Sequence, residues 1–219
     1  SDYAFYNCDS LISVVLPNAI DSIGQYAFYS SESLKRVNIP ENVTKIERET
    51  FHYCHSLQEI VIPNGVTEIG QYAFGDCSSL VSVNIPEKIT KIERETFQGC
   101  SSLPEIVIPE GVTEIGSWAF GNCGVLASVE LPATIAEIEN YAFEGCISLQ
   151  SIIVEEGNSV YDSRENCNAI IETSRNEIIV GCKTTKVQYS VVSIGSMAFY
   201  HCEGIEAIRL HADFKKKKK

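Results

Sequence analysis

The apolar positions of the chain recur with a fixed step. Phenylalanine stands at Phe5, Phe28, Phe51, Phe74, Phe97, Phe120 and Phe143, each 23 residues after the last. Proline keeps the step at Pro17, Pro40, Pro63, Pro86, Pro109 and Pro132. Cysteine follows phenylalanine by three residues at Cys8, Cys54, Cys77, Cys100, Cys123 and Cys146, with Ser31 in its place once. Leucine follows by six at Leu11, Leu34, Leu57, Leu80, Leu103, Leu126 and Leu149. Four residue types on one period identify a tandem array whose unit is a single coil of chain.

The unit around Phe74 shows what each part does. Val83 and Ile85 alternate with polar neighbours, which is the period of a strand with those two side chains inward. Pro86 ends the strand because it has no N–H for a continuing ladder. Ile89 and Ile92 carry the chain round the far side. Ala73-Phe74 then re-enters the core, expected from a single helical or 3₁₀ turn. One such coil buries too little apolar surface to offset the entropy of ordering about 23 residues. Coils must therefore stack and share hydrogen bonds. Their strands are expected to form one parallel sheet with neighbours ~4.8 Å apart.

A second period is twice as long. Residues 39–49 read IPENVTKIERE and residues 85–95 read IPEKITKIERE, while 62–72 read IPNGVTEIGQY and 108–118 read IPEGVTEIGSW. The duplicated unit is thus 46 residues, or two coils. Gly70 accompanies Tyr72 and Gly116 accompanies Trp118, so an aromatic ring is expected over the glycine of its own coil; Glu139 with Tyr141 departs from that rule.

The period fails after Val154, and the next Ala-Phe pair is Ala198-Phe199. The intervening insert, about residues 155–188, carries the strand-like runs 169–173 and 177–180 around Ser174-Arg175-Asn176, which reads as a turn. A hairpin that extends the stack is expected, followed by resumed spacing at Val191, Ile194, Phe199, Ile205, Ile208 and Leu210.

The combination Ile-Pro-x-x-Val-x-x-Ile-Gly-x-x-Ala-Phe-x-x-Cys-x-x-Leu, seen from Ile62 to Leu80, resembles the BspA-like (Treponema-type) leucine-rich repeats over about residues 3–214. Ser31 and Glu155, where proline is expected, depart from the pattern. The resemblance implies a β-rich α/β fold: a right-handed leucine-rich-repeat solenoid of 23-residue coils, eight regular ones plus the insert, with a parallel sheet on the concave face. Similar proteins are abundant in Bacteroides-like bacteria and some mucosal protists. They are typically secreted or surface-attached, and some bind host extracellular matrix or plasma proteins. The family shares no catalytic residues.

Bulk composition changes this picture little. With 44% apolar and 21% charged residues, the chain reads as one globular domain over 1–214, with Lys215–Lys219 as a disordered tail. The net charge is −12, and the five terminal lysines mask a body of −17. An acidic body argues against nucleic-acid partners, which require a basic face. No apolar run approaches the ~20 residues of a membrane-spanning helix. Ser1 to Phe5 already read as repeat, so the chain is expected to be a processed or trimmed piece whose address segment lies elsewhere.

Candidate chemistry is sparse. The cysteine column reads as a ladder of small buried side chains, and no pair has the two-to-four spacing of a zinc site. Cys167 and Cys182 would face each other across a hairpin centred on Ser174-Arg175, which makes them the candidate disulfide. His52, Cys54 and His55 suggest a thiol–imidazole pair, but Cys54 holds the ladder position. No catalytic residue, metal or cofactor is expected. Two surfaces are candidate binding sites. One is the outward strand face at Arg36, Asn38, Glu59, Val61, Asn84, Glu105, Val107 and Glu130, with Ser82, Ser128, Ser151 and Ile153 alongside. The other is the aromatic flank of Tyr26, Tyr72, Trp118 and Tyr141. The expected function is a secreted or cell-surface module that binds a protein or glycan. The alternative is a structural spacer with no ligand of its own. Neither end of the stack carries a polar cap, so end-to-end self-association is a further expectation.

Overall fold

The computed structural model describes residues 1–202 together with 205, 208 and 210. It is a β-solenoid of about six turns, against the eight regular coils expected; the seven phenylalanines from Phe5 to Phe143 bound six 23-residue steps, and only part of the coil beyond the insert is among the described residues. The lysine tail lies outside them.

Two strand faces form where one was expected. The front face carries Ser13–Val14, Arg36–Val37, Glu59–Ile60, Ser82–Val83, Ser128–Leu131 and Ser151–Val154. Its strands pair in parallel as three separate couples, for example Glu59 with Ser82 and Ser128 with Ser151. The coil holding Pro104 contributes no strand to this face, and proline has no N–H to give to a ladder. The second face carries Lys45–Ile46, Glu68–Ile69, Lys91–Ile92, Glu114–Ile115 and Glu137–Ile138, again parallel. The apolar pair expected merely to turn the chain, Ile89 with Ile92, thus supplies half of a second ladder. Each Ile points inward, and its polar neighbour stays outside.

The Ala-Phe segment is neither a helix nor a 3₁₀ turn. The N–H groups of Ala73, Gly75 and Cys77 bond carbonyls three residues back. Those of Tyr72, Phe74 and Asp76 instead donate to Arg94, Thr96 and Gln98 of the next coil, at 3.1, 2.9 and 2.6 Å. Alternate donors can diverge in this way because Tyr72 and Asp76 are left-handed, with φ of 56° and 54°. The Tyr72 column repeats this at Tyr3, Tyr26, Glu49, Glu95, Trp118 and Tyr141, and the Asp76 column at Asn7, Ser30, Tyr53, Gly99, Asn122 and Gly145. A left-handed L-residue costs roughly 1–2 kcal/mol, offset here by backbone bonds along the stack. The one helical piece among the described residues is the 3₁₀ turn Arg164–Asn166.

Within the coils the phenylalanines form one column. Consecutive rings from Phe5 to Phe143 lie 4.9–5.6 Å apart, tilted by 3–9°. Beside them, each ladder thiol donates to the carbonyl of the preceding coil's phenylalanine: Cys54 to Phe28 at 3.1 Å, Cys77 to Phe51 at 3.2 Å, Cys100 to Phe74 at 3.3 Å. Ser31 is therefore no defect. Its hydroxyl makes the same bond to Phe5 O at 2.7 Å. Gly70 and Gly116 are not covered by their own aromatic rings. A Cβ there would strike the preceding coil's backbone, 2.7 Å from the nitrogens of Arg48 and Arg94. They are glycine because coils touch.

The insert forms a hairpin as expected, Ala169–Glu172 against Glu177–Gly181, flanked by Tyr161–Asp162 and by Ser193–Ile194. It contributes Tyr161, Ile170 and Cys182 to the main core. Cys167, Ala169, Ile171 and Ile178 form a second core with Val191 and Ala198. The Cys167–Cys182 pairing does not occur, and both thiols are free. A bulge at Ile170/Ile171 shifts the register by one residue, so Ala169 faces Gly181. The two cysteines then fall in different cores, and Cys182 Sγ donates instead to Asn168 O at 3.3 Å.

Phe97→Ala would interrupt the ring column, and a loss of about 3–5 kcal/mol is expected in urea unfolding. Val107→Ala on the open front face should stay within about 0.5 kcal/mol. Equal effects would contradict a stack held together by the Phe column.

Candidate functional site

The front face presents two adjoining outward columns. One runs Ser13, Arg36, Glu59, Ser82, Glu105, Ser128, Ser151, and the other Val15, Asn38, Val61, Asn84, Val107, Glu130, Ile153. Every outward residue expected from the alternation faces out, and all but Ser151 are well exposed. The second column alternates in character with the two-coil period. Its apolar members are bare: Val15 is 87% exposed, Val61 76%, Val107 79% and Ile153 45%. Strands ~4.8 Å apart place them ~10 Å from one another along the stack.

The asparagines between them are occupied. Asn38 Oδ1 accepts from Leu16 N–H at 2.7 Å, and its Nδ2 donates to Leu16 O at 2.9 Å. Asn84 repeats the arrangement on Ile62, at 2.7 and 2.8 Å. Each side-chain amide thus completes the backbone bonding of the preceding coil next to a valine. Asn38 and Asn84 are clamps between coils, and the valines are the part of the column left largely exposed.

The aromatic flank is less open than its sequence suggests. Tyr26 hydroxyl donates to Glu49 at 3.2 Å and Tyr72 hydroxyl to Glu95 at 2.9 Å. Arg48 and Arg94, bonded to the same carboxylates at 2.8 Å, lie 6.0 and 5.9 Å from the centre of the Tyr72 ring, within cation–π range. Trp118 rests against Tyr141, with ring centres 5.3 Å apart. Because glutamates alternate with tyrosines, no continuous aromatic platform exists from Tyr26 to Trp118. These side chains mainly tie adjacent coils together. Burial and the Glu49 and Glu95 carboxylates hold the phenols of Tyr26 and Tyr72 above the ordinary value.

On the second face the two-coil period is electrostatic. Lys45 pairs with Glu68 at 3.0 Å and Lys91 with Glu114 at 2.6 Å. The bonds to Glu68 and Glu114 raise the two ammonium pKa values. Glu137 next in line faces Glu114 without a lysine.

His52, Cys54 and His55 form no thiol–imidazole pair. Cys54 is buried against Phe28 O, and burial pushes its thiol up to about 12. His52 lies between carboxylates, Nδ1 3.3 Å from Glu49 and Nε2 3.5 Å from Asp76. Among the described residues, no group of three or more His, Cys, Asp or Glu side chains is placed to hold a metal ion. None of their helices is long and apolar enough to cross a membrane.

The family model described as BspA type Leucine rich repeat region (6 copies) matches residues 1–123, 67–188 and 172–219. Among solved structures, the chain is similar to a leucine rich cell surface protein from Faecalibacterium prausnitzii A2-165, at 30% identity and a TM-score of 0.80. That match covers 97% of this chain and spans 64% of the other. A leucine-rich repeat protein of T. pallidum shares 29% identity with a TM-score of 0.59, covering 87% of this chain and 76% of that one. A leucine-rich repeat protein from Eubacterium ventriosum ATCC 27560 shares the fold at 16% identity and a TM-score of 0.67, with 94% and 55% of the two chains covered. No curated protein matches the chain.

Asn84→Ala is expected to cost about 1–2 kcal/mol in urea unfolding, the worth of two bonds to a neighbouring coil. An unchanged midpoint would show that the clamp is idle. At pH 9, iodoacetamide should label partly exposed Cys8 before any buried ladder thiol, since Cys54 and Cys146 stay protonated up to about 12. Early labelling of Cys54 in folded protein, read by peptide mapping, would contradict the burial.

Proposed function

The chain belongs to the BspA-type leucine-rich repeat family, and from that premise we propose that it is a binding module that works outside the cell, taking a protein partner on its front strand face. The observation that carries this reading is the row Val15, Val61, Val107 and Ile153. Exposed apolar side chains scattered singly need no explanation, but a regular row on one rigid face marks an interaction surface. The front-face segments that carry it are held by the Phe column and the Asn clamps. The face is therefore pre-organised, which lowers the entropic cost of association. The flanking carboxylates Glu59, Glu105 and Glu130 would form a polar rim and favour a partner with basic residues at its edge. The likeness to a cell surface protein of Faecalibacterium prausnitzii supports a surface location. Host matrix and plasma proteins are the first partners to examine.

No catalytic role is assigned. The ladder thiols from Cys54 to Cys146 are buried, His52 lies between Glu49 and Asp76, and the described residues of the front face bring no nucleophile and base together.

The test is a binding array of extracellular matrix proteins, plasma proteins and glycans, followed by the double variant Val61→Glu with Val107→Glu. A protein-binding face should lose at least tenfold in affinity while the urea midpoint stays put. A chain that only spaces other domains would capture nothing, and capture confined to glycans would refute a protein partner.

A further inference from the structure

The insert creates a cavity that the repeat alone would not contain. The ring column ends at Phe143, and the next Ala-Phe turn does not stack on it. Phe199 instead packs over Gly181, where an added Cβ would lie 2.2 Å from its ring. Between the turn at 139–146 and the turn at 195–202, with the hairpin strand Glu177–Gly181 as a wall, lies a cleft of about 600 Å³. That volume is in the range of ligand sites, roughly 300–1,000 Å³.

Its chemistry is one-sided. Glu137, Glu139, Glu144, Glu172 and Glu177 line it against a single arginine, Arg175. Arg175 is committed: it bonds Glu172, and its Nε lies 3.3 Å from Glu177, which is itself 2% exposed. Glu139 accepts from the N–H of Ser117 at 2.9 Å. Glu144 is different. Its Oε2 is buried and has no hydrogen-bond partner among the described residues, a state that proteins rarely leave uncompensated. Burial pushes the Glu144 carboxyl up, and neighbouring His201 pulls the other way. The remaining walls are aromatic and aliphatic: Tyr141, Tyr161, Tyr200, Ile179, Val180 and Met197. The donor-poor Glu144 oxygen, ring faces and an aliphatic lining together fit a cation carried on a hydrocarbon stem.

We propose that this cleft binds one guanidinium or ammonium group on an aliphatic stem, with Glu144 as its principal acceptor. The group could come from a free small molecule or from an arginine or lysine side chain of a partner. The site is separate from the front face and does not depend on it.

Met197 is the single methionine of the chain and lines the cleft, so its ¹³C-labelled methyl resonance reports occupancy without any substitution. N-acetyl-arginine amide should shift that resonance saturably with one-to-one stoichiometry. The isosteric but neutral N-acetyl-citrulline amide should bind at least tenfold more weakly. Glu144→Gln should weaken arginine at least tenfold with its urea midpoint retained, while Glu105→Gln on the front face should change nothing. A Gly-Arg-Gly peptide that binds where the free amide does not would identify a partner's side chain as the source. Equal binding of citrulline, a Met197 methyl unmoved by both the amide and the peptide, or equal losses from Glu144→Gln and Glu105→Gln would overturn the site and leave only general attraction to an acidic surface.

Discussion

A coil of this length can pair only part of its own backbone, and every other feature answers to that. Short strands on two faces send their N–H and C=O groups to the coils above and below. At the third side, left-handed residues at Tyr72 and Asp76 turn every second N–H out of the coil and onto the next. The backbone is thus satisfied along the stack, and only stacked coils are dry enough for the Phe column to form. Cysteine or serine at the ladder position gives a second donor to a phenylalanine carbonyl that already accepts one backbone bond. A larger side chain there would push the rings apart.

The two-coil period follows from the same dependence. Neighbouring coils need not be identical; they need to be complementary. Lys45 meets Glu68, Tyr26 meets Glu49, and Asn38 meets the backbone beside Val15. A 46-residue unit provides both halves of each pair. Exposed ion pairs such as Lys45–Glu68 contribute little individually. Their larger effect is on order, since a coil displaced by one step would set like charges opposite each other, as Glu114 and Glu137 already are.

Regularity also fixes where function can reside. In the regular coils the side chains that bind neighbours are spoken for, and the bare valines of the front face are what remains. The insert is the exception. By ending the Phe column it separates two turns that would otherwise touch, and the space between them collects carboxylates from three segments. A repeat supplies a surface, and its interruption supplies a concavity.

Period, family, strand alternation and the hairpin of the insert were legible from residue order alone, because a repeat writes the same local constraint many times over. The outward positions from Arg36 to Glu130 were legible for the same reason. Other features depended on contacts between coils. Nothing near Asn38 in the chain shows that its amide closes on Leu16, 22 residues earlier. The left-handed positions of Tyr72 and Trp118 look like ordinary aromatics, since their cost is offset only by a neighbour's carbonyl. The Cys167–Cys182 pairing failed because a one-residue bulge, invisible in the pattern, moved the two thiols into different cores. The Glu144 cleft could not be foreseen either, as its walls are set by where the last turn comes to rest. Periodicity is a property of one strand of text; complementarity belongs to two surfaces in contact, and only the folded chain brings them together.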